Sequence, residues 1–138
     1  MKDEQLLNTI PEITNYTEIY LLLNKKEITY EYLCCLKRIT KINNNKLTDW
    51  LNISTRTLRQ FVNNEREIDN HTQERIVLIL SLIKYGTEKL GSMESFKKWL
   101  AKMSSTDTSK NRGDYLCYYS GIYFVHKILE KEIHRGKN

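Results

Sequence analysis

Residues 47–64, LTDWLNISTRTLRQFVNN, decide how the rest of the chain is read. A short amphipathic stretch runs into Asn52, Ile53 and Ser54, and a second one then opens on small hydroxyl residues. This spacing predicts a helix-turn-helix, two short helices crossing about a tight turn. Leu47, Leu51, Ile53, Leu58 and Phe61 fall where two crossed helices touch. Ser54, Thr55, Arg56, Arg59 and Gln60 are left facing outward, and hydroxyl, guanidinium and amide groups are the types that reach phosphates and base edges. Lys46 and Asn63, at the two ends of the stretch, complete the candidate DNA contacts. Asn52 stands where such motifs commonly carry glycine, and asparagine tolerates the same left-handed backbone.

Working outward, Ile28, Tyr32, Leu36 and Ile39 recur at helical spacing and predict a preceding helix. Residues 43–45, NNN, read as a turn, because asparagine side chains compete with the backbone ladder. Helices over roughly 46–52 and 55–63 then complete a three-helix lobe that Asn63 and Asn64 terminate. The opening segment is weakly specified: Pro11 divides a polar start from a stretch in which Ile19, Leu22 and Leu23 fit a turn or two of helix.

Downstream, a longer helix is expected from Asp69 or Asn70, with Asn70 and Gln73 resembling a capping box and Asp69 complementing the helix dipole. Its residues 76–83 are apolar on nearly every face and must be covered on two sides, by joining two lobes or by forming a dimer core. Tyr85 and Gly86 read as a kink before Leu90 and Gly91. Ser92 is a good N-cap for a helix striped by Phe96, Trp99, Leu100 and Met103, in which Trp99 and Leu100 read as core. Residues 104–113 hold no apolar side chain and read as a surface loop. A last helix follows Gly121, with Val125, Ile128, Leu129 and Ile133 on one face. One proline, five glycines and no hairpin signals make the chain all-α: an N-terminal segment (1–27), a helix-turn-helix lobe (28–68) and a helical lobe (69–138).

The net charge of +5 favours anionic partners, and Lys37, Arg38, Lys41, Lys46, Arg56, Arg59 and Arg66 gather in or around the helix-turn-helix. A solvated basic face is the plainer account of the same cluster. Cys34, Cys35 and Cys117 are odd in number and form no CxxC pair, so a reducing compartment is expected. The charged start and the short longest apolar run, residues 76–80, lead to the expectation of a cytoplasmic protein that does not enter a membrane. His71, His126 and His134 are scattered, and neither a metal-binding HExxH nor a glycine-rich phosphate loop occurs, so catalysis and bound cofactors are not expected. Arg75 reads as a structural ion-pair partner. Tyr115, Tyr118, Tyr119 and Tyr123, four tyrosines within nine residues, suit a protein interface.

The order of these signals after residue 46 resembles the Xre/MbcA/ParS antitoxins of RES-type toxin–antitoxin systems. The matching landmarks are ISTRTL at 53–58, Arg75 opening the longer helix, Leu90–Gly91, Trp99–Leu100, Gly121 before the final helix, and IHRG at 133–136. The family's Gly-x-x-Pro step is absent, its place taken by SKNR at 109–112. The resemblance implies an Xre-like helix-turn-helix followed by a small helical toxin-binding domain. It also implies an antitoxin that neutralises an NAD-degrading or ADP-ribosylating toxin and represses its own operon. Toxin contacts are then expected from Tyr115, Tyr118, Tyr119 and Tyr123 and from the tail Ile133, His134, Arg135 and Gly136, with the last helix and tail closing the toxin's active-site mouth. Expected partners are a cognate toxin, operator DNA and a second copy of the chain, since two-fold operators mirror protein symmetry. Two other readings stay open: a stand-alone Xre-like regulator whose C-terminal helices only dimerise, and an interaction module that has lost DNA binding.

Overall fold

The computed structural model describes residues 2–102 and 110–136, in which every regular element is a helix and no strand occurs. Eight α-helices follow in order: α1 Asp3–Asn8, α2 Tyr16–Asn24, α3 Tyr30–Thr40, α4 Asn44–Leu51, α5 Thr55–Val62, α6 Asn70–Leu90, α7 Met93–Leu100 and α8 Tyr119–His134. A 3-10 helix, Arg112–Cys117, precedes α8. Met103 and most of the loop expected at 104–113 lie outside the described residues.

α6 is the centre of the fold. Its residues 76–83 are all buried, as a stretch apolar on nearly every face requires, while its two ends are polar. It touches α2, α3, α4, α7 and α8. That burial is satisfied within one chain, so residues 76–83 leave no apolar face for the dimer core considered above. One continuous cluster of buried side chains runs from Leu6 to Leu129 and includes both expected lobes.

The cap of α6 differs from the capping box expected on Asn70. Asp69 is the N-cap, its carboxylate accepting from the Thr72 amide at 3.2 Å and the Thr72 hydroxyl at 2.7 Å. Gln73 turns its amide inward and donates to the Ile68 carbonyl at 2.7 Å. No break occurs at Tyr85 and Gly86 either, because α6 runs on to Leu90. Gly86 is a packing glycine: a Cβ there would lie 2.2 Å from the Phe96 ring of α7. Gly91, at φ 97°, ends α6 in the left-handed conformation.

The N-terminal segment is held firmly. Leu6, Ile10, Ile13 and Ile19 are buried in the common core. Ser81 donates to the Pro11 carbonyl at 2.7 Å and Lys84 to the Ile10 carbonyl at 2.6 Å, which fastens the strand of chain between α1 and α2 onto α6. α8 begins at Tyr119, three residues before the expected start after Gly121. Gly121 sits in its first turn, where a Cβ would meet the Tyr115 carbonyl oxygen at 1.8 Å. No helix among the described residues is long and apolar enough to cross a membrane.

Candidate nucleic-acid interface

Three short-range devices set the geometry of α4 and α5. Asn43 caps α4 by accepting from the Lys46 amide at 2.8 Å, so Asn44 and Asn45 are helical rather than part of the expected asparagine turn. Asn52 takes φ 55° and ψ 49°, the left-handed geometry expected of it, and the Ile53 amide donates back to the Thr48 carbonyl at 3.1 Å. Ser54 then caps α5, its Oγ accepting from the Thr57 amide at 3.0 Å. Such caps are worth about 1 kcal/mol each. Leu47, Leu51, Leu58 and Phe61 are buried and hold α5 against α3 and α4, while Ile53 is half-buried at the turn.

The far side of α5 carries the candidate DNA contacts. Ser54, Thr55, Arg56, Arg59 and Asn63 are exposed. Arg56 and Arg59 have no carboxylate or hydrogen-bond partner among the described residues. Gln60 is half-buried and accepts from Arg66 at 3.4 Å, while the Arg66 guanidinium lies 5.5 Å from the centre of the Phe61 ring. Lys46 is half-buried and paired with Asp114 at 3.3 Å.

The basic cluster read from the sequence is therefore thinner than its residue count. Arg38 is engaged by Asp3 at 2.6 Å, and that guanidinium holds the Asp3 carboxyl below its usual range. Lys37, Lys41, Arg56, Arg59 and Arg66 remain as basic side chains with no acidic partner among the described residues, Arg66 being turned onto Gln60 and Phe61. Burial pushes the Cys35 thiol up to about 11, so it is not reactive at neutral pH.

Two clefts flank the α4–α5 turn. One, of about 580 Å³, lies between α4 and the 3-10 helix and is lined by Lys46, Trp50, Asn52, Ser54, Asp114 and Cys117. The other, of about 610 Å³, separates the start of α5 from the start of α6, with Ser54, Thr57, Arg66, His71, Arg75 and Tyr119 on its walls. Sequence reasoning passed over the buttress behind the first cleft. Trp50 is buried and its indole N–H donates to the Gly113 carbonyl at 3.1 Å. Asn111 and Asp114 bond each other's backbone amides at 3.0 Å, which aims the Asp114 carboxylate at Lys46.

The C-terminal candidates do not converge on one surface. Tyr119 donates its hydroxyl to the His71 carbonyl at 2.9 Å, its ring lies 4.7 Å below the Arg75 guanidinium, and burial raises its pKa. Arg75 donates to the Cys117 carbonyl and has no acidic partner among the described residues, in place of the expected ion pair. Tyr123 meets the Tyr16 ring edge-on at 5.8 Å, and Tyr115 meets Phe124 at 5.3 Å. Tyr118 alone of the four is widely exposed, at 63%. Ile133 packs partly against the core, and His134, Arg135 and Gly136 are exposed beyond it. At about 1.5 Å per helical residue, this tail lies roughly 15–21 Å along α8 from Tyr119 and Tyr123.

Trp99 and Leu100 are buried, as their stripe implies. The Trp99 indole donates to Glu132 at 2.6 Å, and Arg112 stacks 4.3 Å from the Trp99 ring while donating to Glu132 at 3.3 Å. Arg112 thus belongs to an inner ion pair rather than to an outer loop. No group of three metal-ligating side chains occurs among the described residues. Comparison of the chain with protein-family models, with curated proteins and with solved structures finds no match.

Proposed function

We propose that this chain is a DNA-binding antitoxin, with α4 and α5 as its helix-turn-helix and α5 as the recognition helix. One observation carries the DNA arm. Arg56 and Arg59 stand exposed and unpaired among the described residues, on the face of α5 opposite Leu58 and Phe61. A left-handed turn at Asn52 and a Ser54 cap set the angle of that helix. Free guanidiniums on a helix so presented suit bidentate contacts to guanine edges or phosphates, each worth about 1–3 kcal/mol of discrimination where a base is read.

The toxin arm rests on the family resemblance together with the exposed end of α8. In this reading the tail from Ile133 to Gly136 and Tyr118 provide the contact to an NAD-consuming toxin, because Tyr119 and Tyr123 spend their rings on α6 and α2. That same inward use of two tyrosines favours the second reading, a stand-alone regulator whose C-terminal helices serve as structural support.

The test is a mobility shift on the DNA upstream of the chain's own gene, with wild type and the Arg56→Ala/Arg59→Ala pair. The wild type is expected to shift it and the pair to fail. Equal binding by both would remove α5 from recognition. Co-purification with the product of the adjacent gene separates the antitoxin from the stand-alone regulator.

A further inference from the structure

Arg75 is a cation without a counter-ion. It is half-buried on α6, its guanidinium lies 4.7 Å from the centre of the Tyr119 ring, and it donates to the Cys117 carbonyl. No carboxylate pairs with it among the described residues. A charge drawn out of water is ordinarily paired, since a lone one costs free energy that a carbonyl and a ring only partly return. Arg112 shows that ordinary solution in the same chain. It stacks on Trp99 at 4.3 Å in like fashion, but Glu132 accepts from it at 3.3 Å.

The Arg75 side chain opens onto the cleft of about 610 Å³ between the starts of α5 and α6. His71, exposed and one helical turn earlier, stands on the same side of α6, and Arg66 borders the cleft from the segment joining the two helices. Ser54 and Thr57 line it from α5. Asp69 is the one carboxylate on these walls, and it is turned to the Thr72 amide and hydroxyl at 3.2 and 2.7 Å. The Tyr119 hydroxyl is likewise spent, on the His71 carbonyl at 2.9 Å. Two guanidiniums against one engaged carboxylate leave the cleft cationic.

The cleft lies beside the recognition face. At about 100° per residue, Thr57 and Gln60 fall on the flank of α5 next to Arg56, and Arg66 reaches that flank by donating to Gln60 at 3.4 Å. A duplex laid on Arg56 and Arg59 therefore carries one strand past the mouth of the cleft. We propose that this cleft seats the sugar–phosphate backbone of the bound duplex, with a phosphate as the counter-ion that Arg75 lacks and His71 and Arg66 beside it. The proposal rests on the DNA reading of α5 and adds to it a contact that positions the duplex without reading its sequence.

The experiment is an anisotropy titration of the full chain, at several salt concentrations, against a labelled duplex from upstream of the gene and a scrambled duplex of equal length. Arg75→Gln removes the charge. His71→Glu, at an exposed position four residues earlier, supplies Arg75 with a counter-ion from its own helix and leaves the core untouched. Each variant is expected to bind both duplexes about tenfold more weakly. The slope of log K against log salt is expected to become shallower by about 0.9, the share of one phosphate. The His71→Glu chain is expected to melt no lower than wild type. Asn70→Glu places the same charge on the neighbouring exposed residue, outside the walls of this cleft, and is expected to cost less than about threefold. Wild-type affinity and slope in the His71→Glu chain, an equal loss in Asn70→Glu, or a loss confined to the upstream duplex overturns the proposal and leaves the reading of α5 in place. A wild-type chain that binds neither duplex at low salt overturns both.

Discussion

Substitution of Asn52 isolates one backbone conformation on which the whole α4–α5 unit depends. The residue is exposed, its side chain makes no hydrogen bond among the described residues, and its φ of 55° is left-handed. Alanine there pays the steric cost between its Cβ and the following carbonyl, roughly 1–2 kcal/mol, of which asparagine already pays part. Asn52→Ala is therefore expected to cost about 1 kcal/mol and Asn52→Val about 2, because branching at Cβ adds to the clash. Asn52→Gly relieves the clash but gives the unfolded chain more freedom, so it stays within a few tenths of a kcal/mol of wild type. At about 2.1 cal/mol/K of unfolding entropy per residue, 138 residues give about 3 °C of melting temperature per kcal/mol. The expected series in thermal unfolding is glycine equal to asparagine, alanine about 3 °C lower and valine about 7 °C lower. An alanine variant as stable as the glycine variant would refute the argument, since it would mean that this turn does not require the left-handed region.

Two other outcomes follow from the site and its surroundings. His126 is buried beside Tyr85, and burial holds its pKa below the ordinary 6.5, so the unfolded chain binds its proton first as pH falls. Stability is expected to decline from about pH 6.5 downward, and His126→Phe to flatten that decline in melting curves between pH 7 and 5; an unchanged slope would assign it elsewhere. On the antitoxin reading proposed above, removal of residues 133–138 is expected to weaken rescue of cells that co-express the product of the adjacent gene, while mobility shifts persist; full rescue would take the tail out of the mechanism.

Features written within a few residues were legible in the sequence. The left-handed Asn52, the cap at Ser92 and the buried stripe Leu47, Leu51, Leu58 and Phe61 depend on local chemistry and helical period, and they stand where the spacing put them. Neighbouring residues with equal capping ability blurred the boundaries: Asp69 rather than Asn70 caps α6, and Asn43 alone of three asparagines caps α4. The glycines misled for a different reason. Gly86 and Gly121 look like breaks in isolation, but their missing side chains make room for Phe96 and for the Tyr115 carbonyl, contacts that only the folded chain creates. The same holds for Trp50 with Gly113, Arg38 with Asp3 and Arg112 with Glu132, whose partners are 63, 35 and 20 residues distant. Arg38 with Asp3 and Lys46 with Asp114 take two side chains out of the basic cluster, so the charge count alone overstated the free basic surface.

The central claim is that α5 meets the DNA backbone and bases through its unpaired arginines. Its most direct test is fluorescence anisotropy of a labelled duplex from upstream of the gene, titrated at several salt concentrations. Each phosphate neutralised contributes about −0.9 to the slope of log K against log salt. Wild type is expected to bind with a steep negative slope. Arg56→Ala/Arg59→Ala is expected to lose at least about tenfold in affinity, and its slope to become shallower by about 1.8 if both arginines contact phosphates, or to change less with a loss of sequence preference if they read bases. Equal affinity, equal slope and equal sequence preference for the two proteins would contradict the account.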